Sequence, residues 1–475
     1  MSEGSDEVVR VGEYIVLQRQ SYTKLHKVSD HGTVMLGKDQ IDIKSIIGKP
    51  LWTTYKMEPK KGSKRDFILA ECDSAESLAE QLIKAVSSGV DNRNIFDDGN
   101  SQQLSTEEII SMRQEGMSGQ DIVGQLVENS KTFRDKTEYS QEKYLKKKEK
   151  KYFEYVTIRK PTIRLIAQIL YRQDSTKIMG LRMDTLSQIS TAAGVQSQGT
   201  YLLYESGCQG LVAAALVNSL DEGGCLVHTH AGNIPQKQAI LAMNFSEAQK
   251  SRLISVNIHS LLRKLHQLKD SIVNTVSDKD NQSSTCNGDH VMSQNSSESE
   301  QVVEVEMKLE KSVNISTESK NNNEEKVVNI NENEDVQNDT NDRKRKHSDV
   351  EDSGPKKPRW ELETERAALI LKSQLADGLI VVAKEHPRNI FLALLEWVNP
   401  SRPFTVFCLC REPLMDLYVY LKSRNDVIAL RLTESWLRTH QILPNRTHPD
   451  ILMSGSGGYL LSGIVVRDTA VETVD

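Results

Sequence analysis

Aromatic residues are scarce in this chain: they make up 5% of its 475 residues, and none occurs between Phe245 and Trp360. From about residue 270 the same stretch is dominated by Asn, Ser, Glu, Asp and Lys. Such a composition cannot bury enough apolar surface to offset the conformational entropy that ordering would cost. We therefore expect residues 270–359 to form a disordered acidic and polar insertion within a folded domain.

The chain also has few cysteines and no long apolar run. Its six cysteines are scattered, and none has the C-x-x-C spacing that is typical of a zinc site. No run of about 20 apolar residues is present, and the N-terminal sequence MSEGSDEVV is polar and acidic, which argues against a membrane span and a secretory signal. These absences favour a soluble, reduced intracellular protein that is not exported.

The length allows two or three domains, each with its own core. With 60 Lys and Arg against 66 Asp and Glu, the formal net charge is −6, so the chain is not a uniformly basic nucleic-acid binder. The acidic residues are unevenly spread, however, and the net charge conceals local basic surfaces.

The apolar patterns divide the chain into segments. Short alternating runs broken by glycine in residues 1–73 predict a β-rich N-terminal domain. Residues 74–154 predict a helical linker with a basic run, in which Ser105-Thr-Glu-Glu108 has the pattern of a capping box. A second amphipathic helix is expected at residues 119–130.

Strands and helices alternate in residues 155–269 and again in residues 360–475, which predicts a parallel α/β sheet on either side of the insertion. An antiparallel hairpin after parallel strands is how class I methyltransferase sheets end, and a generic doubly wound fold is the alternative. We therefore predict an α/β protein with a β-rich N-terminal domain and a class I methyltransferase-like (Rossmann-like) C-terminal domain. The expected elements of that domain are a helix at Thr162–Tyr171, strands at Tyr201–Glu205, Cys225–Thr229, Gly378–Ala383, Phe404–Cys410 and Val427–Leu432, and a last hairpin at Tyr459–Val466.

The segment Tyr201–Val212, YLLYESGCQGLV, resembles the first strand and turn of an S-adenosylmethionine (SAM) site. In such a site the strand ends in an acidic residue followed by alternating glycines, whose lack of side chains lets the backbone approach the ligand. Glu205 and Gly207 fit this spacing, but Gln209 and Leu211 occupy the next two glycine positions. We expect the fold to be kept and the cofactor site to be degenerate.

Two further positions argue against an active site. A SAM enzyme needs a carboxylate at the end of its second strand to hold the ribose hydroxyls, and this chain has His228-Thr-His230 there. Base methyltransferases commonly keep an acidic or polar catalytic residue after the strand that corresponds to Gly378–Ala383, where this chain has Lys384. We predict no catalytic residue and no cofactor on this chain.

Three other patterns are better explained by structure than by chemistry. His228 and His230 face one side of a strand without a third nearby ligand, so a partly exposed strand end is favoured over a metal site. Cys408 and Cys410 are expected to pack as small buried side chains instead of forming a redox pair. The glycines of Ser454–Gly458 are expected to form a hairpin turn with positive φ, because no helix follows that could cradle phosphate.

The strongest basic feature is Lys143–Tyr152, KYLKKKEKKY, which has five lysines within six residues. A solvated helix end is the simpler explanation. Aromatic residues bracket the run, however, and a mixture of positive charge and stacking surface suits RNA. We therefore favour RNA contact for this segment.

Two basic clusters lie in the insertion, Arg343-Lys-Arg-Lys346 and Pro355-Lys-Lys-Pro-Arg359, with a short acidic spacer between them. Their separation resembles a bipartite nuclear-import signal, so we expect a nuclear protein. A basic unstructured segment that contacts RNA is the competing explanation. Upstream, the polar segment DNRNIFDDGNSQQL at residues 91–104 is either a recognition loop or a linker.

Four segments together resemble one family. DNRNIFDDGNSQ, NSKTFRDKTEYSQEKYLKKKEKKY, LRLTESWLRTHQILPNRTHP and LMSGSGGYLLSG are similar to the non-catalytic subunit of the eukaryotic tRNA (adenine-58-N1)-methyltransferase. The similarity extends from about Asp91 to Gly463 without the insertion, and the first 70 residues resemble the family only in pattern.

The resemblance implies a methyltransferase-like domain that does not use SAM, paired with a SAM-binding catalytic paralogue in an α2β2 heterotetramer. It also implies that tRNA contacts six segments: Asn92–Gln102, Lys143–Tyr152, Gln173–Gly180, Lys384, Lys422–Leu430 and Gln441–His448. The implied tRNA-binding residues within them are Asn92, Arg93, Asn94, Lys143, Tyr144, Lys146, Lys147, Lys148, Lys150, Lys151, Tyr152, Lys177, Lys384, Lys422, Arg424, Asn445, Arg446 and His448. Cationic groups suit phosphate, and amide groups suit hydroxyls and base edges.

The leading hypothesis is therefore a non-enzymatic, tRNA-binding subunit in m1A methylation of tRNA, which holds tRNA for a partner's active site and has no membrane association. The alternative is a SAM-dependent RNA methyltransferase that is active in its own right. A structural assembly protein without an RNA role is a third possibility.

Overall fold

The computed structural model describes residues 7–30, 32–60, 65–72, 89, 101–115, 117, 119–152, 155–269, 357–443, 446–451, 453 and 455–466. The chain divides into two compact units, residues 1–258 with 375–475 and residues 259–374. Among the helices within the described ranges, none combines the length and the apolar character that crossing a membrane requires.

The first sheet has seven strands in the order β2-β1-β7-β5-β6-β4-β3. Its inward face is apolar at alternate positions, as in Leu17, Tyr55 and Ile158, which share one core. The strands are β1 (Tyr14–Arg19), β2 (Tyr22–Lys27), β3 (Thr33–Leu36), β4 (Asp39–Asp42), β5 (Thr54–Pro59), β6 (Asp66–Cys72) and β7 (Tyr155–Arg159), with a 3-10 turn at Lys44–Ile46.

Strand β7 comes from a segment that the sequence pattern assigned to the α/β domain. It pairs antiparallel with both β1 and β5. The buried residues Val156 and Ile158 complete the core of the first sheet. The β-rich domain therefore closes only after the chain has passed through the helical region.

That helical region contains α1 (Thr106–Gln114), α2 (Gly119–Glu128) and α3 (Glu138–Tyr152). The predicted capping box is confirmed: the Ser105 amide donates to Glu108 Oε2 at 2.8 Å, and the Glu108 amide donates to Ser105 Oγ at 3.2 Å. The three helices enclose a small core of their own, in which Leu126 and Leu145 are buried.

The second sheet has the order β10-β9-β8-β11-β12-β16-β13, in which only β16 runs antiparallel to its neighbours. This order and the antiparallel β16 are those of a class I methyltransferase, which confirms the predicted fold class. The remaining elements in chain order are α4 (Ile163–Asp174), a 3-10 turn (Ser175–Ile178), α5 (Met183–Ala192), β8 (Thr200–Glu205), α6 (Leu211–Ser219), β9 (Cys225–His230), α7 (Gln238–Ala242), α8 (Glu247–Ser251), β10 (Leu253–Asn257), α9 (residues 258–269), α10 (Arg359–Ser373), β11 (Gly378–Val382), α11 (Pro387–Leu395), β12 (Pro403–Cys408), α12 (Glu412–Lys422), β13 (Val427–Trp436), β14 (His440–Leu443), β15 (Arg446–Pro449) and β16 (Ser456–Val465).

The two sheets are joined within the first unit. The Tyr14 amide donates to Asn244 Oδ1 at 2.8 Å, and Asn244 Nδ2 donates to the Tyr14 carbonyl at 2.7 Å. Val16 on β1 packs with Leu165 and Ile169 of α4. The β-rich domain is thus attached to the α/β domain by both polar and apolar contacts.

The glycines of residues 455–458 do not form the predicted turn. Residues 456–465 form the single strand β16, so the hairpin predicted at Tyr459–Val466 is wrong, and Gly458 within this strand has φ +83°. A Cβ atom at Gly458 would lie 2.5 Å from a ring carbon of Phe407. Glycine is therefore required here for two reasons. The strand passes directly over that ring, and the positive φ is unfavourable for a residue with a side chain.

The second unit contains α9 and α10. Glu365 on α10 accepts from Lys264 at 3.2 Å and from Lys357 at 2.7 Å. Of the predicted insertion, residues 270–356 lie outside the described residues, and α10 begins at Arg359.

Candidate cofactor and nucleic-acid sites

Glu205, the acidic residue at the end of β8, is fully buried and points toward α6, the helix that follows this strand. Its carboxylate accepts hydrogen bonds from the amides of Val212 at 3.2 Å and Ala213 at 3.0 Å. Burial raises the pKa of Glu205 to about 7, although the amides at the start of α6 act in the opposite direction. The side chain that a SAM site would keep beside its ligand is here a helix cap.

The turn that follows is closed by the chain itself. Gln209 adopts φ +57°, which is unfavourable for a residue with a side chain. Its amide donates to Gln236 Oε1 at 3.0 Å, and its carbonyl accepts from Ala239 at 3.0 Å. A Cβ atom at Gly210 would lie 2.6 Å from the Gln236 carbonyl oxygen. The backbone groups that would approach a cofactor are thus already in contact with residues 236–239.

Side chains also link the carboxyl ends of β8 and β11, where the strand order reverses and such folds bind their ligands. Glu385 Oε2 accepts from Ser206 Oγ at 2.5 Å and from the Tyr204 hydroxyl at 3.2 Å. Ser206 Oγ in turn accepts from the Lys384 amide at 2.8 Å. Burial, followed by the charge of Glu385, raises the pKa of Tyr204 to about 12. This network ties together the two strand ends beside the predicted degenerate site.

His228 and His230 are buried, which corrects the expectation of a partly exposed strand end. His228 Nε2 lies 3.8 Å from Glu205 Oε2, and its Nδ1 lies 3.3 Å from Ser255 Oγ. Burial lowers the pKa of His228 to about 3, with a further contribution from the charge of His230. Among the described residues no group of three or more His, Cys, Asp or Glu side chains could hold a metal ion.

The two cysteines at the end of β12 and just beyond it do not both pack inside. Cys408 is half-buried and Cys410 is exposed, so the prediction of two small buried side chains is wrong for Cys410. The reason is that β12 ends at Cys408, and the chain then leaves the sheet. Both cysteines are free thiols.

Helix α3 presents lysines to solvent on one side and aromatic rings to the helical core on the other. Lys143, Lys146 and Lys147 are exposed. Tyr152 is buried in the core, and Tyr144 is half-buried, with its ring 5.4 Å from that of Phe133. The tyrosines therefore support the helix, which corrects the expectation that they offer stacking surfaces.

Two of the lysines are already engaged within the helix. Lys146 Nζ lies 2.6 Å from Glu142 Oε1, one helical turn earlier. Lys148 Nζ lies 5.1 Å from the centre of the Tyr144 ring. Lys143 and Lys147 remain the most direct candidates for contact with a polyanion.

The hairpin β14–β15 faces α3 across an open groove of about 730 Å³. The groove brings together two segments that lie about 300 residues apart, the lysine run and the segment Gln441–His448. Its lining residues are Tyr139, Glu142, Lys143, Lys146, Gln441, Ile442, His448, Asp450 and Ile451. Ile442 and Ile451 are 80% and 89% exposed, so the hairpin side offers apolar as well as polar contacts.

Comparisons with known proteins show the family of this chain. A model of the Gcd10p family matches residues 8–287. The chain is 32% identical over 464 residues to a protein of Mus musculus named tRNA (adenine(58)-N(1))-methyltransferase non-catalytic subunit TRM6, covering 97% of this chain and 89% of that protein. The chain belongs to the Gcd10p family. A Dictyostelium discoideum protein of the same name, trm6, is 28% identical over 97% of this chain and 80% of its own length.

Two solved methyltransferase structures are among those similar to this chain. A SAM-dependent O-methyltransferase of Thermotoga maritima has a TM-score of 0.45 and 9% identity, and covers 98% of this chain and 97% of that chain. The tRNA (m1A58) methyltransferase TrmI of Aquifex aeolicus has a TM-score of 0.42 and 8% identity, and covers 97% of this chain and all (100%) of that chain.

Four further predicted tRNA-binding residues of this Gcd10p-family chain have described side chains and are not among those that line the groove. Lys177 is exposed beside Asp174, at 3.9 Å, and Lys384 is exposed beside the turn at Gly207. Lys422 lies at the end of α12. Arg424 is held by both carboxylate oxygens of Asp426, which raises the pKa of its guanidinium and leaves it less available for phosphate than predicted.

For the remaining predicted residues, the side chain or the whole residue lies outside the described part of the chain. Asn92, Arg93, Asn94 and Asn445 lie outside the described residues. Lys150 and Lys151 lie on α3 and Arg446 begins β15, but their side chains are outside the description as well.

The hairpin β14–β15 was not among the elements predicted from the sequence. Its strands are four residues each and pair from His440 with Pro449 to Leu443 with Arg446. The dipeptide Pro444-Asn445 between two short runs was the available signal, because both residue types favour turns.

Proposed function

We propose that this chain is the non-catalytic, tRNA-binding subunit of a tRNA (adenine-58-N1)-methyltransferase and holds tRNA for a SAM-binding catalytic partner. The observation that carries the proposal is the groove between α3 and the hairpin β14–β15. In the same chain, the turn and strand ends where a cofactor would bind are hydrogen-bonded to other residues of the chain. The printed names of its relatives describe a non-catalytic subunit of this enzyme.

The hydrogen bonds around the expected cofactor position support the absence of catalysis. The acidic residue Glu205 caps α6, and the turn at Gln209 is bonded to Gln236. The network of Glu385 links β8 to β11 at the position where a ligand would enter. A cofactor would have to displace several hydrogen bonds at once, so SAM is assigned to the partner.

The groove supports the tRNA role. Lys143 and Lys146 are exposed on α3 and line one wall, and His448 and Gln441 lie on the opposite wall. Cations on one side position a phosphate backbone, while amide and imidazole groups on the other suit hydroxyls and base edges. We further propose that two copies of each subunit assemble as an α2β2 heterotetramer, which the molar mass of the purified complex would test.

Calorimetric titration with SAM separates this function from that of an independent enzyme. We expect no saturable heat when SAM is added to the purified chain alone, and saturable binding when it is added to the complex with the catalytic subunit. Micromolar binding by the chain alone, together with methyl transfer to tRNA without the partner, would show that the chain is itself the enzyme.

We also propose a nuclear location, supported by the two basic clusters. Replacing residues 343–346 together with Lys356, Lys357 and Arg359 by alanine should move a fluorescent fusion into the cytoplasm. The experiment requires cells without the catalytic partner, which could otherwise carry the chain into the nucleus. A control fusion with Lys308, Lys311, Lys320 and Lys326 replaced by alanine should stay nuclear. An unchanged distribution of the first variant would refute the signal.

A further inference from the structure

Arg182 is a buried arginine at the start of α5 that connects this helix to the base of the hairpin β14–β15. Its side chain is 9% exposed. Nε and Nη2 donate to the two carboxylate oxygens of Asp184 at 2.9 and 2.7 Å. Nη1 donates to the carbonyl oxygen of Gly455 at 2.9 Å, just before β16 begins. One guanidinium thus bonds both to its own helix and to the chain that returns from the hairpin.

Two further side chains of α5, Thr185 and Gln188, attach this helix to the strands on either side of the hairpin, β16 and β13. Thr185 Oγ1 donates to the Gly457 carbonyl at 2.9 Å on the β16 side. Ser435 Oγ on β13 donates to Gln188 Oε1 at 2.7 Å. A Cβ atom at Gly457 would lie 2.7 Å from Arg182 Nη2, so the strand passes against the guanidinium with no room for a side chain.

A continuous series of hydrogen bonds leads from this base to the groove. The Leu437 amide donates at 3.2 Å to the Gly455 carbonyl that Arg182 also contacts. The Asp450 amide then donates to the Thr439 carbonyl at 3.0 Å, and Thr439 Oγ1 donates to Asp450 Oδ2 at 2.8 Å. The pairing of β14 with β15 begins at the next residues. A two-stranded hairpin is only marginally stable by itself, so its orientation depends on this base.

We propose that Arg182 is a positioning residue that holds the hairpin β14–β15 opposite α3 and so sets the width of the groove for RNA. This inference rests on the proposed tRNA-binding function. Arginine suits the task because its planar guanidinium can bond two carboxylate oxygens and a carbonyl at the same time. Lysine keeps the charge beside Asp184, but its donors are all on one nitrogen and cannot replace three bonds that Arg182 makes from three separate nitrogens. Arg182 also follows the loop with Lys177, a second segment that we predict contacts tRNA.

The test uses the full chain in complex with its catalytic partner and compares Arg182→Lys with the milder Thr185→Val. The control is Ile15→Val, which loosens the core of the first sheet without contacting the hairpin. Amide hydrogen exchange is measured in residues 440–449 and in β8, and tRNA affinity is measured at several salt concentrations.

We expect Arg182→Lys to speed exchange in the hairpin at least tenfold while β8 stays protected, and to weaken tRNA binding about tenfold. The slope of log affinity against log salt should change by less than the amount that one phosphate contact contributes, because the lysines of α3 are still present. Thr185→Val should have the same effects to a smaller degree, and Ile15→Val should have neither.

Unchanged hairpin exchange and tRNA affinity in a folded Arg182→Lys complex would overturn the positioning role. So would a loss of affinity with the hairpin still protected, because Arg182 would then act in some other way. If the unmodified complex failed to bind tRNA, the proposed function would fail first, and hairpin exchange alone would decide whether Arg182 positions the hairpin.

Discussion

Replacing Lys143, Lys146 and Lys147 together with alanine is expected to weaken tRNA binding about 100-fold at 0.1 M salt. The slope of log affinity against log salt should flatten by about 2 to 3, since each lysine that neutralises a phosphate contributes about 0.7 to 0.9. All three side chains are exposed on α3, and two of them line the groove. Lys146 should contribute the least, because its ion pair with Glu142 at 2.6 Å must first open.

The measurement is fluorescence polarisation of labelled tRNA with the complex at four salt concentrations. A matched control replaces Lys27, Lys38 and Lys44, three exposed lysines of the β-rich domain, and should keep both the affinity and the slope. Exposed lysines contribute little to folding, so the complex should still form. Methylation should require more tRNA but proceed at nearly the same rate at saturation. If the triple variant kept its salt slope but left the complex, the lysines would belong to the subunit interface.

The α/β sheet could be predicted because its strands leave a simple pattern. Every residue of β8 and β11 is buried, as expected for central parallel strands covered on both faces. Their sequences are therefore short apolar runs between turn signals. Strand β7, YVTIR, is buried only at alternate positions. Its place in the first sheet depends on pairing with β1, about 140 residues earlier, and no local pattern encodes that pairing.

The burial of the α3 tyrosines could have been predicted and was not. Leu145 and Tyr152 are seven residues apart, which places them on the same side of a helix. Both belong to the helical core in the structure. Aromatic residues beside a lysine run suggested stacking on RNA, but helical periodicity is the stronger guide to where a side chain points.

The loss of the cofactor site could be predicted in outcome but not in its structural cause. The sequence places Gln209 at a glycine position. It does not reveal that Gln236, 27 residues later, bonds to the Gln209 amide, or that Glu205 turns back to cap α6. Such contacts depend on how α7 and α6 pack beside the turn, which only the folded chain determines.

Glu205 and His228 should give the protein opposing pH dependences of stability. Glu205 has a pKa of about 7 in the folded chain against an ordinary 4.5. Its contribution to the free energy of unfolding is therefore fully present below pH 4.5 and is lost as the pH rises through about 7. His228 has a pKa of about 3 against 6.5, so its contribution is fully present above pH 6.5 and is lost as the pH falls through about 3. Between pH 4.5 and 6.5 the two slopes have opposite signs and nearly cancel.

Glu205→Gln should therefore expose the contribution of His228. Relative to the unmodified chain, the free energy of unfolding of this variant should increase by about 2 kcal/mol between pH 5 and pH 6.5, since one proton contributes about 1.4 kcal/mol per pH unit. Urea unfolding at several pH values measures this difference. The control Glu58→Gln, at an exposed position on β5, should follow the unmodified chain. The double variant Glu205→Gln, His228→Gln should lose the extra slope. A Glu205→Gln variant that stayed parallel to the unmodified chain over this range would mean that the buried carboxyl does not bind its proton more strongly in the folded state.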